Sequence, residues 1–148
     1  MENRKYELTD ITMTYKGRTL YRIRALKDFS DVKKGDLGGW VSNEYNLSQY
    51  SNCWIYNEAK CMDSAMMYTD SKMYDNAEMH DNSKMYGNSI MYGNSMMCGN
   101  SRMFDYSEMF DDSAMYGNST MNGYSIMFGN SELYDDSEMH GRSRMYGD

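Results

Sequence analysis

Proline is absent from the 148 residues, and the usual core-forming aliphatics are scarce: six Leu, five Ile and two Val. A conventional globular core has too little material here. The lack of aliphatics alone would suit a disordered chain, but disorder gives no reason to hold an apolar residue at a fixed interval. No apolar run reaches membrane length and no secretory core segment is present. Three Cys (Cys53, Cys61, Cys98) without paired spacing offer no disulfide framework, so a reducing, cytoplasmic home is the expectation. Two His and no glycine-rich phosphate loop leave little for the common catalytic or nucleotide-binding motifs.

Abundant instead are Met (18), Tyr (15) and Gly (12). Charge is uneven. Residues 1–48 hold nine Lys/Arg against seven Asp/Glu, and residues 49–148 hold six against fifteen. The acidic portion disfavours direct contact with nucleic-acid backbones and suits basic protein surfaces.

Written in sixes from Ile55, the chain stays in register to its last residue without an insertion. The commonest unit reads Met-Tyr-Gly-Asn-Ser-x, with a small residue at every fifth place and a weaker unit at Gln49–Trp54. A helix needs a period near 3.6 and tolerates recurring Gly-Asn poorly. Each hexad therefore predicts a short strand and a corner. First and fifth places point inward, second and sixth face solvent, and third and fourth supply the corner's backbone angles. Three units per coil would stack every eighteenth residue and give about five coils.

The expectation is an all-β parallel β-helix over residues 49–148 behind a small cap at residues 1–48. Within the cap, residues 6–15 and 18–26 alternate around Lys16-Gly17 and predict a β-hairpin.

The hexads resemble those of the hexapeptide-repeat family, which implies a triangular, left-handed coil; general crossover rules alone would favour the opposite hand. Met replaces that family's usual Val, Ile or Leu and makes for a more pliable core. The leader Leu20-Tyr21-Arg22-Ile23-Arg24-Ala25-Leu26 with Gly35-Asp36-Leu37-Gly38-Gly39-Trp40-Val41 is similar to the start of small phage and bacterial repeat proteins. That resemblance implies mobile-element company rather than a reaction.

Enzymes of the family carry catalytic His, often beside loops inserted between coils. This array has no inserted loop. His80 and His140 both fall at second places, expected at the surface on different faces. No catalytic, cofactor-binding or metal-binding residues are therefore predicted, and no cofactor. Ser at nearly every fifth place reads as a corner residue bonded to backbone, not as a nucleophile. Eighteen-residue stacking places Tyr56, Tyr74, Tyr92, Phe110, Phe128 and Tyr146 in one outward column, either a stabilising ladder or a partner-binding stripe. Among the corner acids, Asp111, Asp112, Asp135 and Asp136 are candidates for the same surface. Met139, Arg142, Arg144, Met145 and Tyr146 would form an end-to-end homodimer contact at the last coil.

These expectations describe a non-enzymatic interaction protein that captures a protein or ribonucleoprotein partner, with no membrane and no direct nucleic-acid binding. By analogy with the leader, an inhibitor of a bacterial defence system, such as an anti-CRISPR protein, is the concrete form. The alternative is an acyl- or nucleotidyl-transferase with its site between subunits.

Overall fold

The computed structural model describes residues 3–148. Strands Tyr6–Tyr15 (β1) and Arg18–Ala25 (β2) form the expected hairpin. Its turn is carried by Lys16 and Gly17, both with positive φ (48° and 77°), the backbone that twists with its flanking strands. Antiparallel to β2 runs Leu37–Val41 (β3), and from β3 onward the pairing becomes parallel.

Beyond β3 the chain winds as a three-sided β-solenoid. On the first side β1, β2 and β3 are continued by short strands from Lys60–Cys61 to Glu132–Leu133, making eight strands. Six strands, from Trp54–Ile55 to Arg144–Gly147, form the second side, and five, from Met66–Met67 to Glu138–Met139, the third. Backbone N–H groups donate to carbonyls seventeen residues ahead, as from Tyr74 to Met91 (2.9 Å) and from Tyr92 to Met109 (2.8 Å). No strand interior is left unpaired along the stack.

Six rungs stack, one more than the hexad count predicts. Val41 pairs with Cys61, and Leu47 bridges Met67. With Ile55 above Met73, these residues complete a first rung. It escapes a six-residue count because its first two steps to the next rung span twenty residues rather than eighteen. At roughly 4.8 Å per rung the stack is about 25 Å long.

First-place methionines fill the interior. Met73, Met79, Met85, Met91, Met97, Met103, Met109, Met115, Met121 and Met127 have no exposed surface. Each removes on the order of 1.5–3 kcal/mol of apolar side chain from water, which is how a chain poor in aliphatics still builds a core. Fifth-place serines from Ser71 to Ser125 are equally buried, and most hydroxyls donate to the carbonyl three residues back, as Ser83 does to His80 (2.8 Å) and Ser95 to Tyr92 (2.7 Å). Within the hexads positive φ is confined to the third place, from Asn57 (55°) through Asp81 (58°) to Gly141 (65°). The fourth place, expected to share that strain, does not.

No helix among the described residues is long and apolar enough to cross a membrane.

Candidate functional site

Second places were expected at the surface. At the top of the first side the second place is not, because the hairpin folds over Met62. Leu20, Trp40 and Met62 bury one another with Met13 and Tyr15 packed against them, and Met62 has no exposed surface. The hairpin tip then reaches the next rung. The Tyr15 hydroxyl donates to Glu78, Lys16 Nζ lies 3.2 Å from Glu78 Oε2, and Lys60 Nζ sits 4.7 Å from the centre of the Tyr15 ring. Burial, reinforced by the neighbouring Glu78 carboxylate, pushes the Tyr15 phenol above its ordinary range.

At the corner beside this tip, Arg18 grips Asp63 with both arms of its guanidinium, Nε to Oδ1 at 2.7 Å and Nη2 to Oδ2 at 2.8 Å. This bidentate fork holds the Asp63 carboxyl below the usual carboxylate range. One rung on, the backbone N–H of Asp81 donates to Asp63 Oδ2 (3.3 Å), and that of Gly99 donates to Asp81 Oδ2 (3.0 Å). Third-place acids thus tie rung to rung through the donors that left-handed corners turn outward.

His80 lies among these groups. Its side chain is four-fifths buried, with 20% exposed, which corrects the surface placement predicted from its second-place position. Nδ1 is wholly buried, makes no hydrogen bond, and stands 3.4 Å from Asp81 Oδ2. The two groups are neighbours without a hydrogen bond between them. A proton on Nδ1 would leave Nε2 as the basic nitrogen, the form a general-base histidine uses. Cys98, the second-place residue of the next rung, has its thiol pushed up by burial and by the Asp81 carboxylate. It is therefore a poor nucleophile.

Asp63, His80 and Asp81 each bring one ligand atom within 4.8 Å of the others, the grouping among the described residues best placed to hold a cation. Asp63 is nevertheless already neutralised by Arg18, and the guanidinium opposes a second positive charge there.

The other sequence-predicted residues lie elsewhere. Tyr56, Tyr74, Tyr92, Phe110, Phe128 and Tyr146 form a continuous column on the second side, with successive ring centres 4.4, 5.0, 6.5, 5.5 and 5.4 Å apart. Its first member donates to Asp31 Oδ1 (2.6 Å) and its last, Tyr146, is 69% exposed. Asp111 accepts from the Gly129 N–H (3.0 Å), Asp112 from Asn94 Nδ2 (3.0 Å) and Asp136 from Asn118 Nδ2 (2.9 Å). Asp135 is an exposed left-handed corner (φ 56°). In the last rung, Arg142 lies over the Tyr124 ring at 5.8 Å, Arg144 and Met145 pair with Ile126 and Met127, and Met139 is buried. His140 stays exposed and far along the stack from His80.

No family model matches the chain. The chain is similar to a protein of Escherichia coli (strain K12) described as "Uncharacterized acetyltransferase YdcK", with 47% identity over 45 residues. The match covers 30% of this chain and 14% of that relative. This is a hexad-built solenoid with an enzyme among its relatives. The similarity overturns the expectation of a non-enzyme, which rested on the missing loops and on histidines assumed to be exposed. What the sequence concealed was the docking of the hairpin, whose tip reaches Glu78 and Asp63, the latter a member of the Asp63-His80-Asp81 corner. The His80-Asp81 dipeptide at second and third places was the available signal, since those places meet at one corner.

Proposed function

We propose that the chain carries out acyl transfer, moving an acetyl group from an activated thioester to a hydroxyl or amine acceptor. His80 serves as general base and Asp81 orients it. The observation that carries this reading is the similarity to the Escherichia coli acetyltransferase. The buried Nδ1 of His80, 3.4 Å from the Asp81 carboxylate, supplies the chemistry such a reaction needs. Nε2 takes the proton of the attacking acceptor as it adds to the thioester carbonyl. The thiolate departs when the tetrahedral intermediate collapses, and the imidazolium returns the proton to it. Arg18 keeps Asp63 engaged and leaves Asp81 as the carboxylate that faces the imidazole.

Release of free thiol from acetyl-coenzyme A is measured with panels of small hydroxyl and amine acceptors. His80→Asn is expected to lower turnover by about 10²–10⁴-fold. Asp81→Asn is expected to lower it less and to shift the pH profile. Equal turnover in wild type and His80→Asn, or no thiol release above the uncatalysed rate with any acceptor, would end this reading.

A further inference from the structure

On the third side, sixth-place residues run Met66, Lys84, Arg102, Thr120 and Glu138 down the stack. Lys84 and Arg102 are directly paired neighbours on adjacent strands. Like charges stacked this way repel and destabilise a sheet unless something neutralises them. Nothing among the described residues does. Among them neither side chain makes a hydrogen bond or ion pair, both are exposed, and the flanking members of the column, Met66 and Thr120, are uncharged. In a chain of net charge −7, with acids at most corners, two adjacent cations without an ion-pair partner among the described residues are unexpected.

They stand in a trough that continues into an apolar groove. The lower part, about 560 Å³, is lined by Lys84 and Arg102 with Asn82, Asn100 and Asn118 along its edge. Met66 and Lys84 also line the upper part, about 720 Å³, where the N-terminal segment meets the second rung. Leu47, Met67 and Tyr68 join Met66 in lining that groove. Tyr45 and Tyr50, 83% and 82% exposed, also border it, and neither ring touches another aromatic. Arg4 and Glu44, paired with each other, also line the groove, and Lys84 joins it to the trough. A volume of this size with a mostly apolar lining and a few charged groups is the usual form of a small-molecule site.

We propose that this groove binds an aromatic phosphate monoester. Its ring lies against Met66 between the Tyr45 and Tyr50 side chains, and its phosphate bridges Lys84 and Arg102. Strands about 4.8 Å apart place two cationic heads within reach of different oxygens of one phosphate. The bound dianion removes the repulsion that the empty sheet carries. Exposed tyrosines supply broad stacking surface at small entropic cost, and Arg adds a planar fork for phosphate. The site stands apart from His80, and the inference does not depend on acyl transfer.

Isothermal titration of the full chain with 1-naphthyl phosphate, inorganic phosphate and 1-naphthol at fixed ionic strength tests it. Wild type is expected to bind naphthyl phosphate at least about tenfold more tightly than either fragment compound. The Lys84→Gln/Arg102→Gln pair is expected to lose about tenfold or more in affinity for naphthyl phosphate. The same pair should unfold at the same temperature as wild type or higher, since the repulsion is gone. Met66→Glu, at a 39% exposed position, should abolish the preference for the naphthyl compound. Unchanged affinity in the glutamine pair, or equal affinity of wild type for naphthyl and inorganic phosphate, would overturn the proposal.

Discussion

Within one hexad, each residue type answers a separate physical demand. The third place is left-handed from Asn57 to Gly141, so it accepts Gly, Asp, Asn or, once, Thr. At Gly93 (φ 62°) an added Cβ would stand 3.0 Å from the backbone nitrogen of Asp111, so Gly93→Ala is expected to cost about 1–2 kcal/mol by denaturant unfolding. Fifth-place serines divide in two. Ser89 donates to the Tyr86 carbonyl (2.9 Å), whereas the buried hydroxyls of Ser101 and Ser119 find no partner. Ser89→Ala should therefore lose about 1 kcal/mol, and Ser119→Ala should be neutral or stabilising. Equal losses at both positions in urea titrations would show that bulk, not hydrogen bonding, selects serine. Most of this hexad logic was legible in the sequence, because steric demands at corners leave few residue types to choose from. Which serines lack a partner was not legible, since Ser101 and Ser107 sit at the same place of the hexad and only the second hydroxyl donates.

Among the elements, the hairpin was readable and its destination was not. Alternation and Lys16-Gly17 specify two strands and a tight turn, but carry no information about where the tip docks. The docking is set by long-range pairs, Arg18 to Asp63 and Lys16 to Glu78, that span 45 and 62 residues of chain. Arg18→Gln is expected to loosen the tip. Amide exchange at residues 13–20 should accelerate, and the Asp63 carboxyl should titrate at higher pH, towards its ordinary value, in side-chain NMR. Unaltered exchange would mean that apolar contact of Tyr15 and Leu20 with Met62 suffices to hold the tip. The burial of His80 was not legible either: its position in the hexad was plain, but the neighbours that enclose its side chain were not.

Across the whole molecule, stability should be lost in alkali. Burial, the leading cause in each case, raises the phenol pKa of Tyr6, Tyr15, Tyr56, Tyr68, Tyr74, Tyr92 and Tyr116. Folded-state values above the unfolded value of about 10 mean that the contribution is complete below that pH. It drains away as pH climbs through the folded values, because the unfolded chain ionises first. Tyrosinate absorbance and circular dichroism are expected to change together above about pH 10. Ionisation that precedes unfolding would show that the aromatic columns are open to solvent.

The twenty-residue steps of the first rung have a consequence for assembly of the fold. Elsewhere, sliding one strand past its neighbour by eighteen residues lays Met on Met and Ser on Ser, so the interior scarcely distinguishes the correct alignment from its shifted copies. Val41, Leu47 and the hairpin joined to them break this translational degeneracy. They act as the zero mark of the scale. A chain that lost them would have no unique origin from which to count, and its rungs would be free to close out of phase or to interleave with those of another molecule.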